Sequence, residues 1–186
     1  MRRRKFQPRR LLRLPLRLTK KKAASLIGAF LMGIFYMFFA PDSDILRGTV
    51  TRVTDGDTVQ VLVSGEKRTV RLVGVDTPET VHPNKPVQFY GKEASDFTKK
   101  SLLNKTVWLE YDVAPLDRYN RHLAYLWLEK PEAGEAAIRR GMFNARLILD
   151  GYGKVMTIQP NSKYADIFVK FQQEARTKKR GLWGRE

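Results

Sequence analysis

Four side chains in two short segments of this sequence have the types and spacing that phosphodiester chemistry requires. Asp57 follows an Asp-Gly turn, and Arg71, Asp76 and Glu79 fall within residues 71–79. Aspartate and glutamate are rarely buried unless they are paired or bound to a metal. Three carboxylates of this kind can surround a hard cation, and the arginine can hold a phosphate oxygen. The combination predicts metal-assisted cleavage of a phosphodiester bond.

The donor atoms of the two segments indicate which cation to expect. Asp57 begins a predicted strand, where aspartate is disfavoured, and Asp76 ends another. Neither segment contains histidine or cysteine, so zinc is disfavoured, and calcium, which takes oxygen ligands, is favoured. The alternative is that Asp57 and Asp76 are ordinary turn or helix-capping residues. For Asp55, shaping the turn is the favoured interpretation.

Two arginines are candidates for binding the reacting phosphate. Arg71 lies in the middle of a predicted strand among apolar residues, and Arg121 lies at the entry to another. The planar guanidinium group binds two phosphate oxygens at once, which lysine cannot do. Two such groups and a cation can neutralise the charge of a phosphorane. The alternative for Arg71 is a solvent-exposed charge on the sheet.

Alternating apolar residues and turn residues predict the elements that position these side chains. Five strands are predicted, at residues 47–53, 58–63, 68–75, 106–111 and 121–128. Gly74 interrupts the third of them and predicts a bulge that redirects the chain. Three helices are predicted, at residues 88–103, 144–150 and 162–179. Three strands before a helix and two after it favour an α+β, mainly β fold: a five-stranded Greek-key barrel of the OB type.

The charge of the chain is distributed unevenly along its 186 residues. The formal net charge is +16, and residues 1–22 contain eleven Lys or Arg and no acidic residue. The rest of the chain therefore carries +5 (16 − 11), which supports a nucleic-acid surface only modestly. Cysteine is absent, which excludes disulfides and thiolate metal sites.

Residues 23–40 form an uncharged apolar run that follows the basic tail. As a helix, this run has a length of about 27 Å, close to the hydrocarbon thickness of a bilayer. An uncleaved signal anchor fits better than a cleaved signal peptide, because Phe38 would occupy the −3 position for cleavage after Ala40. A buried soluble helix is the third interpretation. In both membrane interpretations the segment 41–46 is a linker, and the domain at 47–184 lies outside the cytoplasm, anchored or secreted.

Short motifs throughout this domain resemble the staphylococcal nuclease (thermonuclease) family. In chain order they are DGDT at 55–58, RLVGVDTPET at 71–80, YGKEA at 90–94, DRYNR at 117–121, LAY at 123–125, GYGKV at 151–155 and RGLW at 180–183. Each motif is modest by itself, but their order along the chain is specific. By this resemblance the fold is a five-stranded OB barrel with three helices, and the cofactor is Ca²⁺.

The resemblance also implies a set of metal ligands and a general base. Asp57 and Asp76 are expected to bind the metal through their carboxylates, and Thr77 through its backbone carbonyl. Glu79 is expected to orient or deprotonate the attacking water.

The same resemblance implies the substrate-binding groups. Arg71 and Arg121 are expected to bind the scissile phosphate and to stabilise its transition state. The pocket for the terminal phosphate of the nucleotide is expected to be bordered by Asp117, Arg118 and Tyr119.

Two features depart from the family pattern. The aromatic pair that flanks the bound nucleotide is expected at Thr157 and Gln159, neither of which is aromatic. An insertion of about ten residues falls within 129–142, where residues 135–140 extend a hairpin or form an extra helical turn. As a result of the first difference, base stacking is expected to be weaker or to be supplied by residues elsewhere.

The activity that we expect is endonucleolytic hydrolysis of DNA, RNA or both, with 3′-phosphate products, by a monomer. The first alternative is a barrel that binds nucleic acid without cleaving it. The second is a protein-interaction module on the membrane. All six candidate carboxylate, carbonyl and arginine positions are present, which favours the enzyme.

Overall fold

The computed structural model describes residues 45–80 and 88–185. The predicted basic tail at 1–22, the apolar segment at 23–40 with its predicted helix, and most of the linker at 41–46 lie outside the described residues. In the two described ranges, no helix is both long enough and apolar enough to cross a bilayer.

The described chain contains seven strands, five of which close a barrel. The strands are β1 (Ile45–Asp55), β2 (Thr58–Val63), β3 (Glu66–Leu72), β4 (Gly74–Asp76), β5 (Thr106–Leu116), β6 (His122–Trp127) and β7 (Lys154–Met156). Around the barrel the order is β1-β2-β3-β6-β5, and β5 pairs back with β1. The pairing of β3 with β6 is parallel, whereas the other four pairings are antiparallel. This closed barrel is consistent with the OB-type barrel predicted from the sequence.

Alternation of side chains along the strands fills the barrel. In β2, the side chains of Val59, Val61 and Val63 are buried, whereas Leu62 between them is 37% exposed. Successive side chains of a strand point to opposite faces of the sheet, so every second residue of β2, a valine at each of these positions, enters the interior. β1, β3 and β5 contribute Val50, Val70, Val107 and Leu109 to the same core.

Gly74 divides the predicted third strand into two elements, so the prediction of one strand at 68–75 is wrong. Its φ angle of +79° suits glycine, and a Cβ at this position would lie 2.5 Å from the ring of Phe168. Beyond it, β4 leaves the barrel and pairs with β7 as a separate two-stranded sheet. The redirection that Gly74 predicts is confirmed, and it carries Asp76 out of the barrel wall.

Four α-helices, rather than the three predicted, are present in the described ranges. They are α1 (Gly91–Leu102), α2 (Glu135–Gly141), α3 (Phe143–Leu149) and α4 (Ala165–Thr177), and a 3₁₀ turn follows at Gly181–Arg185. The additional helix is α2, which forms within the insertion at 129–142. α1 begins at Gly91, later than predicted, because Tyr90 adopts a left-handed conformation with φ +67°.

The insertion is attached to the body of the domain at both of its sides. The backbone N–H of Leu128 donates to the carbonyl of Gly141 at 2.8 Å. Arg139 of α2 forms an ion pair with Glu174 of α4 at 2.7 Å, and Lys170 pairs with Glu135 at 2.7 Å. The insertion therefore packs against the C-terminal helix rather than extending a hairpin.

Candidate active site

Arg71 lies where the barrel meets the β4–β7 sheet, and its guanidinium group binds both aspartates of the predicted metal site. Its Nη1 lies 2.6 Å from Oδ2 of Asp57, and its Nη2 lies 2.9 Å from Oδ1 of Asp76. Nη1 also donates to the carbonyl of Val75 at 3.0 Å. Because only 12% of the Arg71 side chain is exposed, it is not a solvent-exposed charge on the sheet.

Asp57 is a buried carboxylate that receives several hydrogen bonds. Its Oδ2 accepts from the backbone N–H of Thr77 at 2.9 Å and from the Thr77 hydroxyl at 3.0 Å. Its Oδ1 accepts from the hydroxyl of Thr58 at 3.0 Å. Burial raises the pKa of Asp57, and the Arg71 guanidinium and these hydrogen bonds offset the effect only in part. These contacts with Arg71 and Thr77, both distant in sequence, argue against the interpretation of Asp57 as an ordinary turn residue.

The oxygen donors around Arg71 fit a hard cation. Two carboxylates converge on one cationic group, Asp57 almost fully buried and Asp76 half-exposed. These residues offer oxygen donors alone, which suits Ca²⁺ better than zinc. Nowhere in the described ranges do three or more Asp, Glu, His or Cys side chains form a metal-binding group, so Glu79 does not cluster with the two aspartates. Calcium also accepts main-chain carbonyl and water oxygens, so a third carboxylate is not required.

Glu79 lies in the loop that follows β4, three positions beyond Asp76. Its backbone N–H donates to Oε1 of Gln88 at 3.1 Å, and its carbonyl accepts from the backbone N–H of Gln88 at 3.0 Å. The neighbouring Thr80 hydroxyl donates to the buried carboxylate of Asp55 at 2.6 Å. Sequence analysis missed these loop contacts, because they join positions far apart in the chain.

The two candidate phosphate-binding arginines line one cavity of about 610 Å³. Arg71 reaches it from β3, and Arg121 reaches it from the turn before β6. The same cavity is bordered by the predicted phosphate-pocket residues Asp117, Arg118 and Tyr119. The register of the parallel strands explains the proximity, because Arg71 pairs with Leu123, two residues after Arg121.

Asp117 organises the turn at 117–121 and holds Arg121. Its Oδ2 accepts from Nε of Arg121 at 2.7 Å, and its Oδ1 accepts from the backbone N–H groups of Arg121 and Tyr119, each at 2.9 Å. Burial alone would raise the pKa of Asp117, but these hydrogen bonds and the Arg121 charge together lower it. A carboxylate would repel a phosphate, so the contacts of Asp117 make it a support for Arg121.

Tyr119 and the arginines beside it form a basic and aromatic rim at the cavity. Tyr119 is 64% exposed, and Nη2 of Arg118 donates to its hydroxyl at 2.7 Å. The guanidinium carbons of Arg118 and Arg121 lie 4.7 and 5.5 Å from the centre of the Tyr119 ring. Such a rim attracts anions and offers a flat surface to a base.

The part of the cavity lining that residues 156–159 form differs from what the sequence predicted. Of Thr157 and Gln159, only Gln159 lines the cavity, together with Met156 and Ile158. Met156 and Ile158 are two positions apart, which places them on the same side of an extended chain, whereas Gln159 lines the cavity from the turn that follows Ile158. Sequence analysis missed Met156 and Ile158, although their spacing at the end of β7 was a usable signal. Residues 156–161 of the lining include no aromatic side chain, which agrees with the expected lack of aromatic residues there.

Comparisons with known proteins show what this chain is similar to. The family model described as Staphylococcal nuclease homologue matches residues 69–185. A protein of Staphylococcus hyicus named Thermonuclease is 47% identical over 134 residues, which cover 72% of this chain and 73% of that protein. A Thermonuclease of Staphylococcus intermedius is 46% identical over 150 residues, covering 79% of this chain and 83% of its own. Endonuclease YncB of Bacillus subtilis (strain 168) is 36% identical over 142 residues, covering 76% of this chain and 63% of its own.

Proposed function

This chain belongs to the staphylococcal nuclease family, and we propose that it is a Ca²⁺-dependent nuclease that cleaves phosphodiester bonds within DNA or RNA strands. Two similar proteins are named thermonucleases and a third an endonuclease, which supports nuclease activity. The calcium requirement, internal cleavage and 3′-phosphate products are parts of the proposal that follow from the family resemblance.

One observation carries the proposal: Arg71 and Arg121 line the same cavity, and Arg71 lies against two carboxylates. A phosphodiester in this cavity is within reach of two planar cationic groups. Preorganised charges of this kind stabilise the extra negative charge that develops on a phosphoryl group during attack by water. The cavity therefore presents two arginines to one phosphodiester, which distinguishes it from a surface that attracts a polyanion only through its net charge.

The chain's own residues divide the remaining tasks. Asp57, Asp76 and the carbonyl of Thr77 would hold the metal, which supplies charge stabilisation to a phosphoryl oxygen when it is bound. Glu79 orients the attacking water or accepts its proton. Arg71 and Arg121 bind the phosphate and offset the charge of the transition state. Asp117 keeps Arg121 in place.

A digestion assay tests this function directly. The full chain is incubated with single-stranded DNA and with single-stranded RNA, in Ca²⁺ and in EGTA. Hydrolysis in Ca²⁺ that EGTA abolishes supports the proposal, and end analysis then identifies the 3′-phosphate. Retarded migration without cleavage would support the binding module instead. Neither cleavage nor retardation would support the protein-interaction module.

A further inference from the structure

Asp55 is a buried carboxylate for which the proposed mechanism has no task. It is 6% exposed, which is expensive for an ionisable side chain unless its hydrogen bonds are satisfied. Its Oδ1 accepts from the hydroxyl of Thr80 at 2.6 Å and from the backbone N–H of Gly56 at 2.8 Å. Its Oδ2 lies 3.4 Å from the backbone nitrogen of Thr80. The turn-shaping contact that the sequence predicts is present, but the shortest contact is with a loop 25 residues further along the chain.

The two aspartates of this turn hold the two ends of one four-residue loop. Asp57 accepts hydrogen bonds from the backbone and hydroxyl of Thr77, and Asp55 accepts from the hydroxyl of Thr80. Glu79 lies between these two threonines. One turn therefore holds a candidate metal ligand in place and also fixes the loop that carries the candidate general base.

A second set of contacts holds Glu79 from the side of α1. Its backbone N–H and carbonyl are both hydrogen-bonded to Gln88, at 3.1 and 3.0 Å. α1 starts at Gly91, where a Cβ would lie 3.0 Å from the carbonyl oxygen of Pro78 and 3.1 Å from that of Glu79. The start of the helix thus packs directly against the backbone on which Glu79 is mounted.

We propose that Asp55, acting through Thr80, and Gln88 are positioning residues that fix the backbone of Glu79 relative to Asp57. This inference rests on the proposed function, in which Glu79 acts on the attacking water. A general base must lie about 3 Å from the oxygen whose proton it accepts, so a loose loop lowers the rate of cleavage without weakening substrate binding. The contact with Thr80 gives the buried side chain of Asp55 a task beyond its contact with Gly56 in the turn.

The hydroxyl of Thr80 offers the cleanest test, because replacing it leaves every charge near the metal site unchanged. In the full chain, Thr80→Val removes the bond to Asp55 and Thr80→Ser keeps a hydroxyl. We expect Thr80→Val to lower kcat about tenfold, with KM for single-stranded DNA and calcium affinity by calorimetry within about twofold of wild type. Thr80→Ser is expected to restore kcat to within about twofold. Thr177→Val removes the hydroxyl that donates to the Gln173 carbonyl in α4 and should change nothing in catalysis.

A double-mutant cycle shows whether Thr80 acts through Glu79. If it does, Thr80→Val has no further effect on kcat in a Glu79→Gln background, because the group that it positions is already disabled. A full tenfold loss in that background would overturn the inference. Wild-type kcat in Thr80→Val, or a Thr80→Ser variant as slow as Thr80→Val, would overturn it as well.

Hydrogen exchange separates the failure of this inference from the failure of the proposed function. The amide of Glu79 should exchange faster in Thr80→Val and in Gln88→Ala than in wild type, whether or not the protein cleaves nucleic acid. Unchanged exchange at Glu79 in both variants would overturn the positioning role in an active enzyme. Faster exchange in a protein without Ca²⁺-dependent hydrolysis would support the loop contacts and refute the nuclease.

Discussion

The side-chain oxygen of Asn144 accepts a hydrogen bond from the backbone N–H of Leu126 at 2.8 Å. The amide nitrogen of the same side chain donates to the carbonyl of Val73 at 2.8 Å. Asn144 is fully buried at the start of α3, so one side chain joins this helix, β6 and the bend between β3 and β4. That bend sets the direction in which Asp76 leaves the barrel.

Asn144→Ala should therefore destabilise the protein strongly. The substitution leaves a buried N–H group and a buried carbonyl without partners, which together cost about 2–4 kcal/mol of the free energy of unfolding. Denaturant unfolding followed by tryptophan fluorescence measures this loss. Thr51→Ala, which removes an exposed hydroxyl with only a 3.4 Å contact, is the control and should change stability by less than about 0.5 kcal/mol. Equal stabilities of the two variants would contradict the structural role of Asn144.

Arg71 and Arg121, which line the cavity, should both be required for rapid cleavage of nucleic acid. Arg121→Ala is expected to lower kcat by on the order of 10²–10³, the usual cost of removing one electrostatic donor to a transition state. Arg71→Lys keeps a positive charge beside buried Asp57, yet one ammonium cannot replace the planar group that bridges two aspartates, so the rate should again fall.

Arg140→Ala is the matched control for these substitutions. Among the residues that the structure describes, Arg140 forms ion pairs with Glu129 and Glu132 of the exposed insertion. In steady-state assays, Arg140→Ala should cleave single-stranded DNA at the wild-type rate. Near-wild-type kcat in Arg121→Ala would contradict the assigned role.

Asp117 should affect catalysis only through Arg121. Asp117→Asn removes the negative charge that pairs with Nε of Arg121. The carboxylate accepts from three N–H groups through two oxygens, whereas the asparagine amide has a single acceptor oxygen for them. We expect kcat/KM to fall about tenfold, and expect little further loss when Arg121→Ala is added. Additive losses in the double variant would show that Asp117 acts on the substrate independently.

Acid should weaken the attachment between α2 and α4. Hydrogen bonds from Lys178 and Arg139 lower the pKa of Glu174 to about 2 from its ordinary value of 4.5. A lowered carboxyl pKa in the folded state adds stability above the unfolded pKa, and this stability is lost as pH falls from about 4.5 to about 2. These ion pairs are partly exposed, so the contribution at neutral pH is at most about 1 kcal/mol.

Glu174→Gln isolates this effect. The free energies of unfolding of wild type and Glu174→Gln should differ at pH 7 and converge as pH falls below 4. Glu129→Gln, which alters an ion pair on the exposed side of the insertion, should show a smaller difference. A constant difference between wild type and Glu174→Gln at every pH would contradict the lowered pKa.

The apolar segment at residues 23–40 leads to a prediction about the mature protein. We propose that it stays attached as a signal anchor, with the nuclease domain on the extracytoplasmic side. Mass spectrometry of protein purified from the membrane fraction should then find a chain that starts near Met1. A mature protein that begins near Pro41 would instead identify a cleaved signal peptide.

The sequence by itself predicted the chemical groups of the candidate site, because their types are unusual for their local surroundings. Aspartates at strand ends and an arginine among valines and leucines stand out from the residues on either side of them. The barrel was also predictable, since strand periodicity and turn residues are local properties. The break at Gly74 was detectable for the same reason. The pairing of β4 with β7 was not, because it joins segments that are far apart in the sequence.

Only the tertiary structure decided which of these groups meet. The parallel pairing of β3 with β6 brings Arg71 and Arg121 to one cavity, and the turn at 55–57 holds a loop more than twenty residues away in sequence. The sequence left a hairpin extension and an extra helical turn open at 135–140, and only the structure decided that the helix α2 forms there and packs against α4. Contacts between distant segments depend on the packing of the whole domain, whereas a sequence pattern reports only the preferences of neighbouring residues.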